Sequence, residues 1–285
     1  MKILIGVDWS DEAFATVQQV LHLYRPTQVA LVHGVDMGIF EYPVLAQAAN
    51  MQGYEEFRRA LTDAGRQVLD RAAAMLPAGF DAVEKINEIG NPAQIILDTA
   101  QTMKADLLAV GARGRSRMAE VILGSVSHRV LMHASRSTLV VKGAARPVQR
   151  VLVAVEGKDD ADRITQWLLR YPFVNPVELC VLSVVVPVRL ADPYNLAGFD
   201  SWSTVATTYA EDLVKTVGAS LLSTNYMVTT KVITGEVAAT VAEQGKDMDL
   251  IVVASHGRHG VDRLLLGSVS HSITHRVTGP VLVIR

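Results

Sequence analysis

This chain of 285 residues has one cysteine, no excess of charge of either sign and no long apolar run. The single cysteine, Cys180, excludes a disulfide framework, and its place in an apolar run suits a small buried side chain. The formal net charge of -2 gives no general attraction to nucleic acid or to anionic membranes. No stretch is apolar for long enough to span a bilayer and no signal peptide is recognisable, so we expect a cytoplasmic protein.

Two catalytic signatures are also missing. No G-x-x-x-x-G-K-[ST] occurs, which excludes the lysine and magnesium arrangement of a P-loop. No G-x-S-x-G occurs either, so the pair Ser125 and His128 lacks the turn that exposes a serine nucleophile. The sequence therefore favours binding over efficient catalysis.

A repeated segment is present instead. Residues 111–128 recur without a gap at 254–271, and each copy follows a short apolar run. The first copy carries the spacing G-2x-G-9x-G-[ST]. A repeat on this scale predicts two domains, which we place at 1–145 and 148–285.

Short apolar runs alternate with helical patterns in both halves, which predicts two tandem doubly wound α/β domains with helices on both faces of each sheet. Nearly continuous apolar runs are typical of parallel strands covered on both faces. The predicted strands are 2–7, 28–35, 82–88, 106–110 and 138–142, then 150–155, 177–186, 227–233, 249–254 and 281–285. The short joint at 143–147 predicts a pseudo-dimer within the chain, with the last strands of the two sheets paired.

The glycine motif suits a phosphate group. Gly124 precedes a predicted helix, and a helix N-terminus offers unpaired N–H groups and a positive dipole end. Ser125 and Ser127 add hydroxyl donors, although the same residue types also cap helices. Asp8 ends the first strand, where it suits a base amino group or a ribose hydroxyl, or else caps the local turn.

Together these features resemble the universal stress protein family. The resemblance rests on strand-Asp-x-Ser at Asp8, on Gly90-Asn-Pro-Ala before a helix and on the glycine motif, and it covers essentially the whole chain. It implies five-stranded parallel sheets that pair through their last strands, and binding of ATP, or of AMP or ADP, with Mg²⁺. By that resemblance the first-half site consists of Val7, Asp8, Val35, Val110, Gly111, Gly114, Gly124, Ser125, Val126 and Ser127.

The second half departs from this pattern at two positions. Glu156 stands in the place of Asp8, and Ala254 in the place of Gly111. Glutamate is longer by one methylene, and alanine costs about 1–2 kcal/mol where a positive φ is required. The remaining second-half positions are Gly257, Gly267, Ser268 and Ser270. We therefore predict a stronger site in the first half and a weaker or altered one in the second.

Several alternatives stay open. A slow ATPase would use His128 and the arginines near Gly114. A scaffold would bind an unidentified protein or an apolar small molecule through residues 36–54 and 187–208, two stretches that do not fit the strand–helix pattern. Trp9 stands where the family has a small residue, and it either stacks near the base or covers the first helix.

A metal site is a further alternative. Four histidines cluster in the second half, two of them one helical turn apart: His256, His259, His271 and His275. They lack a cysteine or carboxylate partner at a recognised spacing, so we predict no metal site. The sequence leaves further dimerisation of the chain open.

Overall fold

A computed structural model describes residues 1–38, 53–113, 123–187, 199–222, 225–255 and 266–285. They form two compact units, Met1–Arg146 and Pro147–Arg285. Each unit is an α/β domain built on a parallel sheet, as the strand–helix alternation predicts. Among the described helices, none is both long and apolar enough to cross a membrane.

The sheet of the first unit contains β1 (Lys2–Gly6), β2 (Gln28–Val35), β3 (Val83–Ile89), β4 (Leu107–Gly111) and β5 (Ser137–Val141). These strands run parallel in the order β3-β2-β1-β4-β5. The chain moves outward from β1 through β2 to β3, then crosses to the other side of β1. A crevice therefore opens at the carboxyl ends of β1 and β4, where an α/β sheet of this kind binds its ligands.

The described helices of the first unit are α1 (Asp11–Leu23), α2 (Tyr54–Ala73), α3 (Pro92–Thr102) and α4 (Ser125–His133). Ser10 caps α1 by accepting a hydrogen bond from the Ala13 N–H. Asn91 caps α3 in the same way, and Pro92 takes the first helical position, as the sequence predicts. These caps fix where α1 and α3 begin, directly beside the strand ends.

The second unit repeats this arrangement. Its strands are β6 (Arg150–Ala154), β7 (Val177–Val185), β8 (Tyr226–Thr234), β9 (Leu250–Ala254) and β10 (Val281–Ile284), all parallel, in the order β10-β9-β6-β7-β8. Its described helices are α5 (Lys158–Arg170), α6 (Phe199–Leu221), α7 (Val237–Gln244) and α8 (Ser268–Arg276). In the second unit the chain crosses from one side of β6 to the other, just as it crosses from one side of β1 to the other in the first unit.

The central strands form the core of each unit. Ile3, Leu4 and Ile5 of β1 have no exposed surface, and neither do Val151 and Leu152 of β6. Helices on both faces of the sheet explain why these strands are apolar at every position rather than at alternate ones. Because the central strands are buried, their carboxyl ends, which border the crevice, are held in fixed positions.

One prediction needs correction in the stretch 187–208, which was expected to fit neither helix nor strand. Helix α6 begins at Phe199, so the last part of that stretch is helical. Residues 188–198, and residues 39–52 of the corresponding stretch 36–54, lie outside the described residues. The predicted packing of the two units as a pseudo-dimer remains a prediction.

Candidate functional site

A pocket of about 360 Å³ lies at the carboxyl ends of the strands in the first unit. Its walls come from the ends of β1, β2 and β4, from the first residues of α1, α3 and α4, and from one side of α2. Nine of the residues predicted for the first-half site line it: Val7, Asp8, Val35, Val110, Gly111, Gly124, Ser125, Val126 and Ser127. The tenth, Gly114, lies outside the described residues.

The start of α4 forms one end of the pocket. Gly124 is the N-cap, with an extended backbone and no side-chain cap. The first hydrogen bond of the helix runs from the His128 N–H to the Gly124 carbonyl, at 2.9 Å. The N–H groups of Ser125, Val126 and Ser127 precede that bond and have no intrahelical acceptor. They form an anion-binding helix end.

Ser127 differs from its predicted role as a hydroxyl donor to phosphate. The residue is buried, with 3% of its surface exposed. Its hydroxyl lies 2.6 Å from the Ala112 carbonyl and 3.0 Å from the Gly124 carbonyl. A hydroxyl has one proton to donate, and here it goes to the backbone. Ser127 therefore positions the helix end, whereas the exposed Ser125 keeps its hydroxyl at the pocket.

Asp8 lies at the other side of the crevice, directly after β1. Its Oδ1 accepts hydrogen bonds from the Ser10 N–H, at 2.9 Å, and from the Ser10 hydroxyl. This is the turn-capping role that the sequence left open. Within the described residues, Oδ2 of Asp8 accepts no hydrogen bond. One carboxylate oxygen thus shapes the turn and the other is available to a ligand.

Gly111 packs closely against the start of α1. A Cβ at this position would lie 3.0 Å from the backbone carbon of Glu12 and 3.2 Å from the Ala13 nitrogen. Its φ is not in the positive range that favours glycine. The end of β4 therefore lies directly against the first turn of α1. This close contact leaves little space between the two elements beside the crevice.

The opposite end of the pocket from α4 is mainly apolar. Leu61 and Ala64 of α2 line it together with Trp9, and Pro92 of α3, beside Gly34 of β2, also contributes. The Val35 carbonyl accepts a hydrogen bond from the Gly90 N–H at 3.0 Å. A flat aromatic or heterocyclic group fits a wall of this composition.

His33 also lines this end, and sequence reasoning missed it. Its Nδ1 lies 2.7 Å from the Val7 carbonyl. The only available signal was a polar residue near the carboxyl end of an otherwise apolar strand.

Three charged residues, Glu12, Arg113 and Lys142, lie close to one another beside the ends of β4 and β5. The Arg113 N–H donates to Glu12 Oε2 at 2.6 Å, and Arg113 lines the pocket. Burial and the charge of Arg113, opposed by Glu12, lower the pKa of Lys142 to about 8. Arg113 favours an anionic ligand at the α4 end of the pocket, and Lys142, outside the described lining, is near enough to Arg113 to interact with it electrostatically.

The second unit has a different arrangement at the equivalent place. Glu156 is exposed, and the next helix begins after Gly157 with an ion pair between the buried Asp160 and the partly exposed Arg163. Burial is the main cause that raises the pKa of Asp160, against the lowering effect of Arg163. Next to the position equivalent to Asp8, the start of α5 thus carries an ion pair of its own.

The helix end of the second unit is preserved in part. Gly267 caps α8 and Ser268 is its first residue. The Ser270 hydroxyl donates to the Ala254 carbonyl at 2.6 Å, and Ala254 is buried. Gly257 lies outside the described residues. An anion-binding helix end therefore persists, beside an altered crevice.

Three of the histidines weighed as alternatives lie on described helices, His128 on α4 and His271 and His275 on α8. His128 lies in the first turn of α4, and its N–H closes the first helical hydrogen bond. The rings of His271 and His275 lie one turn apart on α8, with their centroids 4.3 Å apart. His256 and His259 lie outside the described residues.

Comparisons with known proteins follow the same division of the chain. The model of the universal stress protein family matches residues 1–142 and, separately, residues 147–285. A universal stress protein of Mycolicibacterium smegmatis is 27% identical, over 99% of this chain and 96% of its own length. One of Mycobacterium tuberculosis strain H37Rv is 23% identical over the same shares. These relatives match both halves of the chain together.

A solved structure supports the fold. The crystal structure of a universal stress protein from Archaeoglobus fulgidus superposes with a TM-score of 0.68 at 19% sequence identity. The match covers 100% of this chain and 96% of that one. At this identity the likeness concerns the architecture alone.

Proposed function

This chain belongs to the universal stress protein family in both of its halves, and on that premise we propose that its first unit binds an adenine nucleotide. The observation that carries the proposal is one pocket that joins the unpaired N–H groups of α4 to Asp8 across an apolar wall. Its volume of about 360 Å³ falls in the range of small-ligand sites. The ligand we propose is ATP, with AMP or ADP as shorter forms.

The chemistry of the two ends orients the nucleotide. The phosphates lie against the start of α4, where the N–H groups of Ser125 and Val126 and the nearby cations Arg113 and Lys142 favour negative charge. The base and ribose lie at the apolar end, within reach of the free carboxylate oxygen of Asp8. Mg²⁺ would arrive with the triphosphate, as a hydrated counterion of its oxygens.

We propose binding without efficient hydrolysis. His33 is the one histidine in the described pocket lining, and it lies at the base end, away from the phosphates. A general base acts within hydrogen-bond reach of the water that it activates, which His33 does not offer to a terminal phosphate in this orientation. The proposed role is thus that of a nucleotide-binding stress or signalling protein in the cytoplasm, with an unidentified protein partner.

The second unit supports a weaker proposal. It keeps the helix end at Gly267 and Ser268, and in place of Asp8 it has the exposed Glu156. Losing a hydrogen bond to a charged group costs about 1.5–3 kcal/mol, which weakens binding by one to two orders of magnitude. We therefore propose one strong nucleotide site per chain.

Calorimetric titration of the full chain with ATP and magnesium tests this proposal. We expect close to one site per chain in the wild type and none measurable in Asp8→Ala. Absence of binding by the wild type would refute nucleotide binding. A parallel assay for released phosphate separates binding from turnover, because linear release above a buffer blank that Asp8→Ala abolishes would establish a slow ATPase instead.

A further inference from the structure

His33 is held in one orientation by the end of β1. Its Nδ1 lies 2.7 Å from the Val7 carbonyl oxygen, which can only accept a hydrogen bond. Nδ1 therefore carries the proton and donates it. In the neutral ring the other nitrogen, Nε2, is then an acceptor with a free lone pair.

The surroundings of the ring show where Nε2 is available. A Cβ at Gly65 of α2 would lie 2.7 Å from Cδ2 of His33, so this glycine makes room for the imidazole. With Nδ1 against Val7 and Cδ2 against Gly65, the edge formed by Cε1 and Nε2 points away from the β2 backbone. No described residue hydrogen-bonds Nε2, while the ring lines the pocket.

The polar groups at this end of the pocket are mostly acceptors. Asp8 offers Oδ2, and Asp36 is the other acidic side chain in the described lining. Oδ1 of Asp36 already accepts from the Gly38 N–H at 2.8 Å. Arg113 is the one basic side chain in the described lining, and it belongs with the α4 end. A ligand edge rich in N–H donors matches this end best.

From this geometry we propose that His33 determines base specificity: its Nε2 accepts a hydrogen bond from the 6-amino group of adenine and disfavours 6-oxo purines. The inference rests on the proposed nucleotide site and adds the residue that reads the base. A 6-oxo purine presents an oxygen at the same position, so two acceptors would face each other and Nε2 would remain unpaired. An unpaired polar group of this kind weakens binding about tenfold to a hundredfold.

ATP and inosine triphosphate test this proposal, because they share the sugar and phosphates and differ at position 6 of the purine. Calorimetric titration of the full chain should give at least a tenfold preference for ATP. In His33→Asn, the side-chain amide can still donate to the Val7 carbonyl, and the acceptor at Nε2 is lost. We expect the preference to fall to within about threefold in this variant, because one hydrogen bond is removed from the ATP complex alone.

Two controls keep the result specific to His33. Thermal unfolding of His33→Asn should match the wild type, which shows that the internal hydrogen bond is replaced. His22→Asn, on α1 and outside the pocket lining, should keep the full preference for ATP.

Each other outcome overturns the inference. An undiminished preference in His33→Asn would make His33 a structural residue. Equal affinity of the wild type for the two nucleotides would remove base selection while leaving the proposed nucleotide site intact. Failure of the wild type to bind either nucleotide would remove both.

Discussion

The hydroxyl of Ser127 and the carbonyl of Ala112 form a hydrogen bond of 2.6 Å that ties the first turn of α4 to the end of β4. The same carbonyl accepts from the Gly124 N–H at 2.7 Å. In the second unit these two contacts are divided: Gly267 donates to the Ser255 carbonyl and Ser270 to the Ala254 carbonyl. The repeated motif thus builds two different turns.

Ser127→Ala should destabilise the first unit by about 1 kcal/mol, the typical net value of a buried hydrogen bond. The cost stays moderate because the Ala112 carbonyl keeps the Gly124 N–H as a donor. Denaturant unfolding measures it. Ser125→Ala is the control, since its exposed hydroxyl should change stability by less than about 0.5 kcal/mol. Equal losses in the two variants would contradict the positioning role of Ser127.

Gly111→Ala should destabilise by about 1–3 kcal/mol, because the new Cβ meets the backbone of Glu12 and Ala13 and pushes α1 away from β4. The nucleotide affinity should fall with it. The matched variant is Ala254→Gly, which adds no atom and should cost only about 0.5–1 kcal/mol of stability. A Gly111→Ala protein as stable as the wild type would show that the first turn of α1 moves without cost.

Two substitutions at Asp8 separate its two roles. Asp8→Ala removes the acceptor for the Ser10 N–H and hydroxyl, so it should lower stability by about 1 kcal/mol and abolish strong ATP binding. Asp8→Asn keeps an acceptor oxygen for Ser10 and removes the charge. Its stability should match the wild type while its ATP affinity falls about tenfold or more. Wild-type affinity in Asp8→Asn would reduce Asp8 to a turn cap.

Lys142 should make stability depend on pH in alkaline solution. Burial lowers its pKa from 10.5 to about 8, so the unfolded chain binds this proton over a range in which the folded chain has released it. The contribution of Lys142 to the free energy of unfolding therefore rises by about 1–3 kcal/mol as the pH increases from about 8 to about 10.5. Urea unfolding of the wild type and of Lys142→Met across this range isolates the effect. If the free energies of unfolding of the two proteins changed in parallel with pH, the proposed effect of Lys142 would be refuted.

The strands could be predicted closely from sequence. The second strand, predicted at 28–35, is observed as Gln28–Val35, and the third, predicted at 82–88, as Val83–Ile89. The second strand is buried, so it is apolar on both faces and appears as a continuous run, whereas the third is a largely exposed edge strand with a mixed sequence. Helix α2, observed as Tyr54–Ala73, has an apolar face that keeps the helical period along the sequence.

The site was predictable where a local motif or a topological rule places the residue. Asp8 follows a strand and Gly124 precedes a helix, and the two lie at one crevice because parallel strands end at the same edge of the sheet. Other features depend on contacts between distant segments. The fit of Gly111 against Glu12 joins residues about a hundred positions apart, and the burial of Lys142 has no signature in its neighbours along the chain.

The pocket draws its walls from six separate stretches between Gly6 and Ser127, and no single stretch forms it alone. The unfolded chain therefore has no such site, and folding and ligand binding become one coupled equilibrium. A ligand at a hundred times its dissociation constant adds about 2.7 kcal/mol to the unit that holds it. With one strong site per chain, nucleotide concentration would set how far the first unit is protected against unfolding.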